Sequence, residues 1–259
     1  MVQKTSYDPG TPSWVDLGSP DPDAAADFYS DLFGWEIGEA GPPESGGYRL
    51  CMLRGIPVAG LGIQEQPDIA PYWTTYVSVA DVDSTVKEVR GAGGQVMVEV
   101  MDVMDAGRMA VLADPSGAVF CAWQPLTHIG AGLVDEPGTL SWNELLTRDL
   151  DGSKAFYGTI FGWTANTMQL GEMAYTEWKL GGASMGGMME MDATFPAEVP
   201  PHWMVYFAVA DTDATVEKVV ALGGHVHQPP MDIPQGRFAL VADPQGALFS
   251  VIALAHAAG

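Results

Sequence analysis

Basic residues are scarce: Lys and Arg number 11 against 33 Asp and Glu, for a formal net charge of −22. Nucleic-acid backbones and anionic membranes are gripped by clustered Lys and Arg, so neither is an expected partner. Cysteine is nearly absent as well. Cys51 and Cys121 alone make neither a disulfide framework nor a zinc ribbon. No apolar run approaches the ~18 residues of a membrane span, and Met1-Val2-Gln3-Lys4-Thr5-Ser6 lacks the apolar core of a secretory signal. These absences point to a cytoplasmic protein. What is present is a 47% apolar share, enough for packed cores and too much for a disordered acidic chain. At roughly 100–200 residues per domain, 259 residues make one large domain or two ordinary ones.

An internal repeat decides between them. Trp14-Val15-Asp16-Leu17 returns as Trp142-Asn143-Glu144-Leu145, and Phe28-Tyr29 through Phe33-Gly34-Trp35 returns as Phe156-Tyr157 through Phe161-Gly162-Trp163. Trp73–Asp81 matches Trp203–Asp211, and Ala113-Asp114-Pro115-Ser116-Gly117-Ala118 matches Ala242-Asp243-Pro244-Gln245-Gly246-Ala247. The spacing drifts by a residue or two, as small loop insertions require. A repeat of this length is a duplicated domain and not a solenoid unit. The expected organisation is one domain over 10–125, a linker over 126–137 and a second domain over 138–253.

Within a copy, strand and helix alternate. Residues 12–17 read as a strand, Asp21-Pro22-Asp23 as a helix start, and 24–33 as a helix ended by Gly34. Strands follow at 48–53 and 58–63, then a strand at 73–79, a helix at about 83–92 and strands at 95–101, 108–113 and 118–123. The last two are joined by Asp114-Pro115-Ser116-Gly117, where Pro presets φ and Gly tolerates a positive one. The pattern is strand-helix-strand-strand-strand, twice per copy, giving four βαβββ modules and an α+β fold class.

These blocks resemble the vicinal oxygen chelate superfamily of glyoxalase I, bleomycin-resistance proteins and extradiol dioxygenases. The resemblance is carried by Ala26-Asp27-Phe28-Tyr29…Phe33-Gly34-Trp35, Val79-Ala80-Asp81-Val82-Asp83, Gly93-Gly94 and the Asp114–Gly117 hairpin, all of which recur in the second copy. More narrowly, the chain is similar to actinobacterial two-domain glyoxalase-like proteins, which include a mycobacterial culture-filtrate antigen and Streptomyces proteins labelled hydroxylases. The resemblance implies two tandem domains whose modules form curved mixed sheets around pockets. It also implies a divalent metal held by His, Glu or Gln from first and last strands. The ligand positions it implies fall on Trp14 and Trp142, near Thr75 and Val205, and on Cys121 and Ser250. None is a His or a carboxylate, so no metal and no other cofactor is expected. His225-Val226-His227 could chelate by spacing, but the first copy has Gln95-Val96-Met97 there, and exposed histidines beside a Pro-rich loop are the simpler reading.

Strand alternation assigns faces. Val15 and Leu17 pack against the helix, which turns Trp14 and Asp16, and likewise Trp142 and Glu144, toward the pocket. A carboxylate against an aromatic wall is desolvated and suited to acid–base work; one paired with Arg108 or Arg237, or open to water, is the structural alternative. His202 stands beside a pocket strand and titrates near neutrality, so Asp16, Glu144 and His202 are the candidate catalytic groups. Trp73, Tyr76, Trp203, Tyr206 and Trp123 could stack a flat ligand or simply fill a core, and Met189 lies in a Met-rich, adaptable strand. Arg108 and Arg237, each following Gly and preceded by Asp102 and Asp232, read as structural ion pairs or as grips for an anion. Cys121 reads as inert packing or as a ligand contact.

The expected function is binding of a flat, aromatic or apolar small molecule by two similar but unequal pockets, in sequestration, resistance or secondary metabolism. The alternatives are a glyoxalase-type lyase or tailoring enzyme using the acid–base groups above, and an interaction protein secreted without a signal. A monomer or homodimer is expected.

Overall fold

The computed structural model describes residues 2–64, 66, 69–170 and 173–255. The first copy runs β2 (Pro12–Ser19), α1 (Pro22–Phe33), β3 (Glu36–Ile37), β4 (Arg49–Leu53), β5 (Ile56–Ile63), then β6 (Tyr72–Ser78), α2 (Val82–Gly91), β7 (Gln95–Val103), β8 (Gly107–Ala113) and β9 (Val119–Pro125). The second runs β11 (Leu140–Thr147), α3 (Leu150–Phe161), β12 (Thr164–Leu170), β13 (Met173–Leu180), β14 (Ala183–Glu190), then β15 (His202–Ala208), α4 (Thr212–Ala221), β16 (His225–Ile233), β17 (Gly236–Ala242) and β18 (Leu248–Leu254). A short β1 (Val2–Gln3) pairs with β10 (Leu133–Val134). The short β3 and the β1–β10 pair were not legible in the hydropathy pattern, since two-residue strands carry no periodicity.

Each copy closes its own eight-stranded curved sheet, ordered β3-β4-β5-β2-β6-β9-β8-β7 and β12-β13-β14-β11-β15-β18-β17-β16. The module starts, β2 with β6 and β11 with β15, run antiparallel at the centre of each sheet. All four helices begin the same way, with Asp21, Asp81, Asp149 and Asp211 accepting a backbone N–H from the first turn. Such a cap satisfies one of the helix's orphan donors. Gly34 and Gly162 end α1 and α3 at φ of 74° and 68°, a left-handed turn that favours glycine.

The helix-covered faces of the two sheets pack back to back. One core joins Val15, Tyr29 and Trp73 of the first copy to Phe207, Val219 and Phe249 of the second. The other joins Val77, Val86 and Phe120 to Leu145, Tyr157 and Trp203. The contact is reciprocal. Trp35 Nε1 donates to Gly138 O and Trp163 Nε1 to Gly10 O, both at 2.7 Å. The opposite face of each sheet, its hollow, carries a separate buried cluster.

Candidate binding site on the hollow faces

The central strand β2 buries Val15 and Leu17 in the core between the copies, so Trp14 and Asp16 face the hollow. There Asp16 Oδ2 accepts from the hydroxyls of Tyr76 at 2.6 Å and Tyr48 at 3.1 Å, and Tyr48 in turn accepts from Trp14 Nε1 at 2.9 Å. Thr74 adds a further hydroxyl donor. The second copy repeats the arrangement one methylene longer. Tyr206 donates to Glu144 Oε1 at 2.9 Å, Tyr175 also donates to this carboxylate, and Trp142 Nε1 donates to Tyr175 at 3.0 Å. Each floor is therefore an indole, a tyrosine, a carboxylate and a second tyrosine in one hydrogen-bonded chain.

A glycine makes each chain possible. A Cβ on Gly60 in β5 would fall inside the Tyr48 hydroxyl, and one on Gly187 in β14 inside the Tyr175 hydroxyl. Tyr48, just before β4, and Tyr175, in β13, can each cross to the carboxylate only over a residue with no side chain.

Among the described residues no cation pairs with these carboxylates. Burial outweighs the hydroxyl donors and pushes Asp16 up to about 6, and raises Glu144 in the same way. Burial and the adjacent carboxylate also hold Tyr48, Tyr76 and Tyr206 well above the usual phenol range, so they remain neutral donors.

Around the floors the copies diverge. Tyr76, Cys121, Trp123 and Trp14 form a buried cluster with Ala131 and Val134. Residues 126–137, expected as a linker, are thus a wall of the first hollow: Ala131 N donates to Ser13 O at 2.8 Å and Gly132 N to Pro57 O at 2.7 Å. The same segment lays the His128 ring edge-on against Trp14, 4.5 Å between centroids, while Trp123 Nε1 donates to His128 O. Burial pushes the Cys121 thiol up, which keeps it protonated. The second hollow is lined by Trp142, Met189, Met191, Met204, Tyr206 and Phe238. Beside it a cavity of about 610 Å³ shares Met191 with that lining. Its rim loop is strapped by Arg148, which donates to Val199 O at 2.7 Å and Pro196 O at 2.9 Å. His202 stands at the start of β15, in register with Leu146 of the hollow cluster. Its Nδ1 meets Pro200 O at 2.9 Å, and burial lowers its pKa.

Four residues expected in the pockets lie elsewhere. Trp73 and Trp203 point into the core between the copies, because a spacing of three along a strand puts them on the face opposite Tyr76 and Tyr206. Trp73 Nε1 donates to Tyr29, whose hydroxyl donates to Asp243 Oδ2 of the other copy at 3.2 Å. Trp203 Nε1 donates to Tyr157, which donates to Asp114 Oδ2 at 3.1 Å. Arg108 and Arg237 share the helix-side face with Ala110 and Ala239. Arg108 pairs with Asp83 and Asp102, Arg237 with Asp213 and Asp232, so neither reaches a floor carboxylate or lines a hollow.

The superfamily's metal does not fit the residues present. Thr75 and Val205 face the core, with Thr75 Oγ1 donating to Asn143 Oδ1 at 2.8 Å. Trp14 and Trp142 offer N–H donors and no lone pair, and each floor has a single carboxylate. His225 and His227 are exposed, and among the described residues no three His, Cys, Asp or Glu side chains are grouped to hold an ion.

Sequence reasoning missed Tyr48, Tyr175, His128 and Arg148. The two tyrosines left a signal in Tyr48…Gly60 and Tyr175…Gly187, which recur at a common offset. Arg148 has no counterpart of its own type in the first copy and left none, and His128 lies in the segment expected as a linker.

Residues 14–123 match the family described as glyoxalase-like domain, and residues 139–251 match the glyoxalase/bleomycin resistance protein/dioxygenase superfamily. A Mycobacterium tuberculosis protein named "Putative glyoxylase CFP32" is 46% identical over 258 residues, covering 97% of this chain and 98% of that one. The anthracycline biosynthesis protein DnrV of Streptomyces peucetius is 40% identical over 264 residues, covering 96% and 95%. Among solved structures, the Mn(II)-bound glyoxalase from Novosphingobium aromaticivorans superposes with a TM-score of 0.66 at 19% identity, over 95% of this chain and 82% of that one. The 2,2',3-trihydroxybiphenyl 1,2-dioxygenase of Sphingomonas wittichii gives 0.65 at 12% identity, over 95% and 90%. With both copies matched and full-length relatives at 40% and 46% identity, the chain belongs to the glyoxalase/bleomycin resistance/dioxygenase superfamily, the vicinal oxygen chelate fold, as two tandem domains.

Proposed function

We propose that this protein binds a flat, largely apolar small molecule in the hollows of its sheets, in sequestration or secondary metabolism, and does so without the metal of its metal-dependent relatives. One observation carries the reading. Each floor ties an indole N–H, two tyrosine hydroxyls and a single carboxylate into one hydrogen-bonded chain with aromatic faces, Trp14–Tyr48–Asp16–Tyr76 and Trp142–Tyr175–Glu144–Tyr206, where a metal site needs several inward-pointing lone pairs. Such a surface suits ring stacking with one or two oriented polar contacts. The Met-lined second hollow and its neighbouring cavity supply adaptable apolar area. A relative named for anthracycline biosynthesis, a fused-ring aromatic class, supports the same ligand chemistry. A net charge of −22 disfavours nucleic acid and anionic membranes as partners, and no helix among the described residues is long and apolar enough to cross a membrane.

Native mass spectrometry and elemental analysis on protein purified from its own source test this. A co-purifying aromatic compound with sub-stoichiometric metal is expected. Stoichiometric divalent metal would overturn the metal-free reading. Failure of fused-ring aromatics to perturb tryptophan fluorescence would overturn the binding reading.

A further inference from the structure

Resting on that reading and narrowing it to one site, we propose that the cavity beside the second hollow binds the carboxylate of a flat, apolar monoacid through Arg148. The ring system of the acid lies against Met191 and Phe195.

Arginine usage singles the residue out. Among the described residues, Arg148 is the one arginine without a carboxylate partner, whereas Arg49, Arg54, Arg90, Arg108 and Arg237 each pair with an Asp or Glu. Acidic residues outnumber basic ones 33 to 11, so partners abound wherever pairing serves the fold. Two carboxylates even line the same cavity. Glu190 is exposed, and Asp192 turns its Oδ1 back onto its own loop, accepting from Thr194 N at 2.8 Å and Thr194 Oγ1 at 2.5 Å.

The place in the chain is equally telling. Arg148 follows β11 and stands just before Asp149, the N-cap of α3, where the helix dipole disfavours a cation. The other three helices have Pro20, Ala80 and Ala210 before their caps. Starting a helix therefore does not call for arginine, and the first copy has no matching site.

The guanidinium is oriented but not used up. It carries five N–H donors. Val199 O and Pro196 O take two of them, and Met191 Sδ lies 3.9 Å from Nη1. Two donors remain on an exposed side chain, held in a fixed fork of the kind that meets a carboxylate through paired N–H···O bonds. The cavity, about 610 Å³, has room for a small molecule. Met191 and Phe195 line it and also pack in the hollow cluster, so one wall is apolar and adaptable. Glu190 and Asp192 repel a second negative charge, which favours a monocarboxylate over a phosphate or a dicarboxylate. If strapping the loop were the whole role of Arg148, the charge of the ligand would not matter.

The probes are 2-naphthoate and its neutral isostere 2-naphthamide, titrated into the full chain at neutral pH and followed by tryptophan fluorescence. One 2-naphthoate per chain is expected, bound about 10-fold more tightly than the amide. Arg148→Met should abolish that preference while the amide still binds, and Arg148→Lys should restore part of it. Glu190→Gln, which leaves the loop strap intact, should tighten 2-naphthoate alone. Equal affinity for acid and amide in the native protein, equal weakening of both probes by Arg148→Met, or 2-naphthoate affinity unchanged by Glu190→Gln overturns the carboxylate site and leaves the binding reading standing. Failure of both probes to bind the native protein overturns the binding reading and this proposal with it.

Discussion

Gly60→Ala is the sharpest test of how the first floor is built. The added methyl would occupy the place of the Tyr48 hydroxyl, with that side chain's Cζ also within contact. Tyr48 must therefore leave Asp16, and the 3.1 Å bond to the carboxylate and the 2.9 Å bond from Trp14 go with it. A hydrogen bond to a charged group contributes about 1.5–3 kcal/mol, and forcing a methyl into a filled site costs ~1–3 kcal/mol. Against this, Ala in a strand recovers about 0.5–1 kcal/mol of the backbone entropy that Gly loses. The expected net loss is about 2–5 kcal/mol. With Tyr48→Ala the obstacle is gone, and the same Gly60→Ala change should be neutral or stabilising by up to ~1 kcal/mol. Urea denaturation of the four proteins in the cycle, followed by far-ultraviolet circular dichroism, measures the coupling. An equal cost of Gly60→Ala in both backgrounds would refute the claim that this glycine exists to pass the tyrosine across.

Asp16 makes stability fall with rising pH. Its carboxyl stands at about 6 in the fold against 3.8 for the unperturbed group, so its contribution is fully present below about 4 and lost as pH rises through about 6. Asp16→Asn should therefore melt higher than the native protein at about pH 8, by up to ~3 kcal/mol, with the gain vanishing near about pH 4; a gain that grows on acidification would contradict the raised pKa. Tyr29→Phe and Tyr157→Phe each remove a buried bond to the other copy's hairpin aspartate and an acceptor for a tryptophan N–H. Each should cost about 1–3 kcal/mol in thermal melts. Arg108→Ala and Arg237→Ala should leave small-molecule binding unchanged in fluorescence titrations, because their partners Asp83, Asp102, Asp213 and Asp232 lie away from the hollows. Their part-exposed ion pairs are screened by solvent and add little to stability.

The duplication, the four modules and the orientation of the central strands were readable because each rests on periodicity. Val15 and Leu17 alternate with Trp14 and Asp16, and burial follows that alternation. The same rule, applied along β6, separates Trp73 from Tyr76. Trp73 takes the core alternative and Tyr76 the pocket one, a choice that aromatic character alone does not make. The arginines form the ion pairs expected of them, with one partner more apiece than the sequence offered. Asp102 and Asp232 were visible a few residues upstream, but Asp83 and Asp213 arrive from helix first turns some 25 residues away, and only the packed fold brings them in. Tyr48 is a case of strand pairing: β4 lies beside β5, so its hydroxyl reaches Asp16 over Gly60. His128 could not be placed at all, because a segment that resembles a spacer by composition became part of the wall once β10 paired with β1.

The two hollows differ in nearly every wall residue, yet the polarity of their floors is the same. At the first-strand position an indole can give a hydrogen and cannot lend a lone pair. The tyrosines beside it spend their hydrogens on the carboxylate, and the carboxylate spends lone pairs accepting them. A divalent ion entering such a floor would meet hydrogens before electron pairs and would have to break two charge-assisted bonds to reach a single carboxylate. A ligand oxygen meets the opposite situation: the tyrosine hydrogens, held by the carboxylate, become available to it when the carboxylate takes up a proton. On the proposed reading, the fold kept the location of its relatives' chemistry and inverted the sign of the partner it attracts there. That inversion predicts an order of affinity among flat probes of equal area. An aromatic ketone such as 2-tetralone should bind above naphthalene, and an arene bearing an ammonium group should gain nothing from the carboxylate while the tyrosines cover it. Tryptophan-fluorescence titrations at one pH rank the three directly, and preference for the ammonium compound would mean that the carboxylates, not their tyrosines, face the ligand.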